Sequence, residues 1–279
     1  QNNTMTPIIG DNSGATALTK SGTGTWVVAG TNTYTGVTTV SGGVLSVSTL
    51  ADGGSASNIG AATNAASNLI LNSSTAVLKY TGAAVSTDRL FSIGSSSGAL
   101  DASGTGAVNF TNTGSMGFNS QTGARTLTLT GTNTGSNTLA AVIGDNTGAT
   151  ALVKSGAGTW VLTGANSYTG TTTISAGVLQ VGSGGTTGAL GSGAVSDNAS
   201  LIFNRSDSIT VNNFINGSGL IIHAGTGTAT FSGIISGGVG FRVTGTGTAI
   251  ITGSASYSGG TVISSGTLQI GNGGTSGTM

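Results

Sequence analysis

Short apolar groups alternate with glycine- and threonine-rich stretches along the whole chain: "TWVVA" at 25–29, "VTTVS" at 37–41, "VLSVS" at 44–48, "NLIL" at 68–71 and "SLIFN" at 200–204. Val, Ile, Thr and Trp suit a pleated, half-buried surface, and the Gly, Asn and Ser between them supply the positive-φ turns that join strands. No stretch of ten or more residues carries apolar positions at the helical period with good helix formers. Glycine every few residues would cost a helix roughly 1 kcal/mol each against alanine. The pattern predicts short strands and no helices.

The strands come in a repeated phrase. "KSGTGTWVVAGTNTYTGVTTVSGGVLSV", Lys20 to Val47, returns from Lys154 as "KSGAGTWVLTGANSYTGTTTISAGVLQV", and Ile8–Leu50 matches Val142–Gly184 at a shift of 134. A third copy, Gly245–Met279, follows at a shift of 89, so that Tyr34, Tyr168 and Tyr257 share one position. The weaker phrases beginning at Ala224 and Thr244 lie 20 residues apart, the size of one solenoid coil. An antiparallel sandwich needs no such echo. A parallel β-solenoid does, because each turn must present the same inward side chains at the same corner. At roughly 20 to 25 residues per coil, the chain would make about a dozen coils. With strands about 4.8 Å apart, they would form a rod on the order of 60 Å long. Residues 1–279 are expected to form one continuous solenoid, with strong repeat copies at 8–50, 142–184 and 245–279.

The phrase "KSGAGTWVLTGANSYTGTTTISAGVLQVG" resembles the autotransporter-associated β-strand repeat of secreted passenger domains in Gram-negative bacteria. The match is close over Lys20–Val47 and Lys154–Gly182 and degenerate over Ala224–Gly271. The resemblance implies a right-handed parallel β-helix exported to the bacterial cell surface, and says nothing of an activity. It extends to the passenger and not to the C-terminal membrane β-barrel of a complete autotransporter.

Composition narrows the partners. Seven basic residues balance seven aspartates, giving a formal net charge of zero. Nucleic acid and anionic membranes call for clustered Lys or Arg, which is absent here. Apolar runs of a few residues are far short of the roughly 20 that span a bilayer, so no transmembrane segment is expected. The sequence opens at Gln1 without a charged and then apolar leader, and it holds no cysteine, in keeping with an exported protein that does without disulfides. Both ends fall inside a repeat and neither reads as a cap. The expected partners are therefore flanking repeats of a longer chain or further copies of this one, joined head to tail, with glycans or cell surfaces as further candidates.

Reactive motifs are scarce. His223, the sole histidine, falls on the repeat position of Lys154 at a shift of 69 and is expected to be a solvated corner residue. "GSSSG", Gly94–Gly98, matches a nucleophile elbow around Ser96, but no helix follows it. "GATALTKS", Gly14–Ser21, has threonine where a phosphate loop needs its second glycine, and no calcium-binding G-G-x-G-x-D occurs, so no cofactor is implied. Asp11 and Asp145 share the position "IGDN", read as a turn bonding its own backbone. Asp88 with Arg89, and Arg205 with Asp207, read as isolated surface pairs. Coil stacking could still bring aspartates together as the acid and base of a polysaccharide-cleaving enzyme. Trp26 and Trp160 invite comparison with carbohydrate platforms. The aligned slots hold Ala249 and Ala229, which favours packing. Tyr34, Tyr168 and Tyr257 are expected at a structural corner, each hydroxyl finding a backbone partner.

Three functions remain. The first is a non-enzymatic extracellular stalk or filament, the second an adhesin with a polar ladder on one rod face, and the third a polysaccharide lyase or hydrolase on the same scaffold.

Overall fold

Every strand-to-strand ladder in the computed structural model is parallel, and each strand pairs with one from the turn before or after it rather than with its neighbour in sequence. The structure describes residues 2–94, 96–273 and 277–278. Part of the "GSSSG" phrase and part of the third repeat copy lie outside those residues. The chain winds about twelve turns of a β-solenoid, with a single turn of 3-10 helix at Ala66–Asn68.

Each turn has three faces. One is a ten-stranded sheet running from Asn2–Met5 to Ile215–Gly217, continued by bridges through Ile235 and Ala255. The second is a nine-stranded sheet from Val85–Thr87 to Thr261–Ile263. The third carries Leu18–Lys20 and its three partners at one end and Ile209–Val211 and its three partners at the other. Strands of four residues such as Thr25–Val28 and Thr159–Leu162 match the apolar groups in the sequence, and glycines at φ +64 and +67 (Gly43, Gly177) turn the chain at the corners.

Strand alternation sends every second side chain inward. On the ten-stranded face the inward column runs Trp26, Leu45, Leu78, Leu100, Leu129, Lys154, Ile174, Asp197. On the nine-stranded face it runs Leu139, Leu162, Val181, Phe203, His223, Val243. Edge-to-face aromatic contacts link Phe203, Phe231 and Phe241 at centroid separations of 5.4 and 5.1 Å across the later coils. Truncating one buried leucine in such a stack would cost about 2–5 kcal/mol.

The columns show how the phrase is placed. Trp26 and Lys154 share one column although they occupy different positions of the repeat. The strand that opens the phrase lies on the third face in the first copy (Leu18–Lys20), on the ten-stranded face in the second (Thr147–Lys154) and on the nine-stranded face in the third (Gly240–Val243). The phrase therefore advances by five turns and one face, then by four turns and one face. It encodes a corner and its two flanking strands, whichever face they occupy.

Candidate functional site

The corners hold most of the polar chemistry. Lys20 points inward, and its Nζ donates to the carbonyls of Ser21, Gly22 and Gly42 at 2.8, 2.9 and 2.8 Å. Lys154 repeats the arrangement with Ser155, Gly156 and Ala176 at 2.7, 2.8 and 3.0 Å. An ammonium has three donors and no acceptor, so three carbonyls from two successive coils satisfy it fully. Burial pulls the Lys154 pKa down to about 8 and that of Lys20 down as well. The third copy has Val243 in this place.

His223 departs from expectation: it is buried at 2% exposure and faces inward between Phe203 and Val243. Neither ring nitrogen reaches a partner at full hydrogen-bond geometry, and burial lowers its pKa against the opposing pull of the Gly227 backbone, which favours the neutral ring. The reason is strand parity: Ile221 points inward, so the residue two further on must too.

Asp11 and Asp145 do more than bond their own turn. Asp11 accepts from the backbone N–H of Thr16 at 2.8 Å, and from the N–H and hydroxyl of Thr35 in the next coil at 3.0 and 2.7 Å. Asp145 accepts from the Thr150 N–H and from the N–H and hydroxyl of Thr169 at 2.7, 3.0 and 2.6 Å. These bonds, the Thr16 N–H foremost, hold the Asp11 carboxyl below its usual range. For Asp145 burial pushes upward, and the Thr169 and Thr150 bonds outweigh it. Each tyrosine hydroxyl meets a threonine side chain: Tyr34 meets Thr38 Oγ1 at 2.7 Å, Tyr168 meets Thr172 at 2.8 Å and Tyr257 meets Thr261 at 2.7 Å, and Tyr168 also has the expected backbone partner, at Gly191. Tyr34 and Tyr168 are fully buried and Tyr257 is half-buried.

The aligned Trp slot has three outcomes. Trp160 is fully buried and donates its Nε1–H to the Thr130 carbonyl at 2.8 Å, which removes it as a platform. Ala249 is buried as well. Trp26 stands in an inward column but is 38% exposed, beside a hollow lined by Met5, Leu18, Val28 and Leu45.

The ion pairs read from sequence also change. Arg89 does not pair with Asp88. It is buried, and its guanidinium donates to the carbonyls of Ala51, Ala62, Ser55 and Gly60 at 2.9, 2.8, 3.1 and 3.0 Å. It thereby fastens the long loop between Val47 and Leu69. Arg205 does pair with Asp207, at 2.6 Å, but the same guanidinium also donates to the carbonyls of Gly188 and Thr186, tying down a second loop.

No catalytic constellation forms around these residues. Ser96 is exposed and is followed by the strand Ser97–Ala102, the wrong context for a nucleophile elbow. Asp52 and Asp88 do come together across coils, yet both are engaged in the loop: Asp52 accepts from the Asp88 N–H at 2.8 Å, and Asp88 from the Gly53 N–H at 2.7 Å and the Asn64 amide at 2.8 Å. Among the described residues no group of three or more His, Cys, Asp or Glu is placed to hold a metal ion, and no helix is long and apolar enough to cross a membrane.

Outside, the ten-stranded face presents a ladder that includes Thr25, Val44, Val77, Thr128, Val153 and Thr173, uncharged throughout. Lys79 and Asp101 sit beside it as neighbours on adjacent strands, 3.8 Å apart.

The chain carries the passenger-associated-transport-repeat three times, at residues 18–47, 152–181 and 241–270. It is 48% identical over 210 residues to the adhesin BmaC autotransporter of Brucella suis biovar 1 (strain 1330), an alignment that covers 74% of this chain and 6% of that protein. No solved structure matches it. With its parallel coils and three passenger-associated-transport repeats, the chain is similar to a short stretch of an autotransporter adhesin.

Proposed function

We propose that this chain is a rigid extracellular segment of a surface passenger and acts by shape and adhesion, without catalysis. The uncharged Thr/Val ladder on the ten-stranded face is the observation that carries the reading. Regular stacking presents the same kind of side chain every 4.8 Å or so, a surface suited to many weak contacts with an extended partner. The similarity to an adhesin supports it. So does the engagement of Asp11, Asp52, Asp88 and Asp145 in corner and loop hydrogen bonds.

The test is binding of the purified chain to bacterial and host cells and to extracellular-matrix coats, compared with a Val77→Asp, Val153→Asp variant. The reading expects saturable binding that the variant loses while keeping its circular dichroism spectrum. Absence of binding on every surface would overturn it. Head-to-tail filament formation, the other reading of the repeats, expects particle length to grow with concentration in electron micrographs.

A further inference from the structure

Phe214 and Ile234 are 42% and 51% exposed and stand in one outward column on consecutive coils, where the Val195 N–H donates to the Phe214 carbonyl and the Ile215 N–H to the Ile234 carbonyl, both at 2.8 Å. On one side lie Asn212 and Ser232, exposed and joined by a 2.6 Å hydrogen bond from the Ser232 hydroxyl to Asn212 Oδ1. On the other side lie Asn216 and Ser236, half-exposed. An aromatic ring and an aliphatic side chain are thus open to solvent, flanked on both sides by amides and hydroxyls and by no charge.

We propose that this column is a binding site for a neutral saccharide chain running along the rod axis; the inference rests on the adhesive reading of the passenger and names its ligand class. Three observations favour a sugar. The apolar platform is two side chains wide, enough for a pyranose face and far below the roughly 1,000 Å² that a stable protein interface must bury. The flanking groups are donors and acceptors without charge, matching hydroxyls rather than sulfates, carboxylates or phosphates. Finally, the rise of about 4.8 Å per coil is close to the length of one pyranose. Successive sugars could then rest on Phe214 and Ile234 while their hydroxyls meet the amide and hydroxyl columns on either side.

The experiment is titration of the full chain with neutral β-linked glucose and N-acetylglucosamine hexasaccharides, with a sulfated oligosaccharide as the charged comparison, followed by calorimetry and by sedimentation. The expected result is saturable binding of a neutral hexasaccharide, weakened by about tenfold or more in Phe214→Ala and less in Asn212→Ala, with unchanged thermal unfolding in both variants. Binding that Phe214→Ala leaves intact would overturn the site, as would binding of the sulfated probe alone or of no hexasaccharide. So would concentration-dependent dimerisation that Phe214→Ala abolishes, which would make the column a contact between copies. If the chain adheres to cells while Phe214→Ala adheres equally well, the saccharide site fails and the adhesive function stands. Failure of the unaltered chain to adhere at all would remove the function itself.

Discussion

Lys154 and Gly177 meet across two successive coils: a Cβ added to Gly177 would lie 2.7 Å from the Lys154 Nζ and 2.3 Å from the Gly158 carbonyl oxygen. The glycine has φ +67, and its repeat counterparts Gly43 and Gly266 both have φ +64. The lysine clamp and the glycine turn are one device. Gly177→Ala should therefore lose about 1–3 kcal/mol from the left-handed backbone alone, and more from the clash. Gly185→Ala, where nothing lies within 4 Å of the added atom, should stay within about 0.5 kcal/mol of the parent. Urea unfolding of the two variants checks the contrast.

Tyr168→Phe removes the hydroxyl that Thr172 meets at 2.8 Å inside the core. The expected loss is about 1 kcal/mol. Tyr257→Phe should lose less, because that ring is half-buried and water can serve Thr261. Equal losses at the two sites would contradict the burial argument.

Arg89 holds the loop after Val47 through five carbonyls, those of Ala51, Asp52, Ser55, Gly60 and Ala62. Arg89→Met leaves those acceptors without a donor, and a loss of about 2–4 kcal/mol is expected. Limited proteolysis should then cut between residues 52 and 64, where the parent resists. Cleavage elsewhere, or none, would count against this role.

Asp197 and His223 predict opposite pH responses. Burial raises the Asp197 pKa from 3.8 to about 6, against the opposing Ala199 N–H bond, so the folded state holds this proton more tightly than the unfolded one. Its stability contribution is present at low pH and is lost as pH rises through the window from 3.8 to 6, by about 2–3 kcal/mol. Burial lowers the His223 pKa, with the Gly227 backbone only partly opposing, so the unfolded state takes up the proton first and acidification below 6.5 destabilises the fold. Asp197→Asn should be more stable than the parent at pH 7 and should lose the Asp197 part of the pH profile, leaving the histidine's slope exposed. Equal stability at pH 7 would show that Asp197 is not desolvated.

These residues also mark where the sequence was readable. Strand positions were legible because Thr25–Val28 and Val44–Val47 are local apolar groups set off by glycines. Thr38, Thr172 and Thr261 each stand four residues after a repeated tyrosine, so that pairing is present in the spacing. The burial of His223 follows from parity with Ile221 and runs against the ordinary preference of a polar side chain for solvent. Arg89 was illegible in principle: its acceptors are backbone carbonyls 27 to 38 residues away, with no side-chain signature. The face carrying each copy was hidden too, because it depends on the turns between copies, and the loop between Val47 and Leu69 lengthens one of those turns without altering the phrase.

The central claim is that copies of one phrase occupy different faces of one continuous parallel rod, and the absence of cysteine makes it directly testable by paired-cysteine cross-linking. Thr25 with Val44, Ala99 with Thr128, and Thr173 with Ser196 are register partners along the ten-stranded face, at the strand spacing a disulfide can span. Thr159 with Val178, the repeat counterparts of Thr25 and Val44, are register partners on the nine-stranded face. Mild oxidation should close all four pairs, while Val44 with Thr159, on different faces, should stay open. Closure of that last pair, or failure of the first three to close, would contradict the rod and its register.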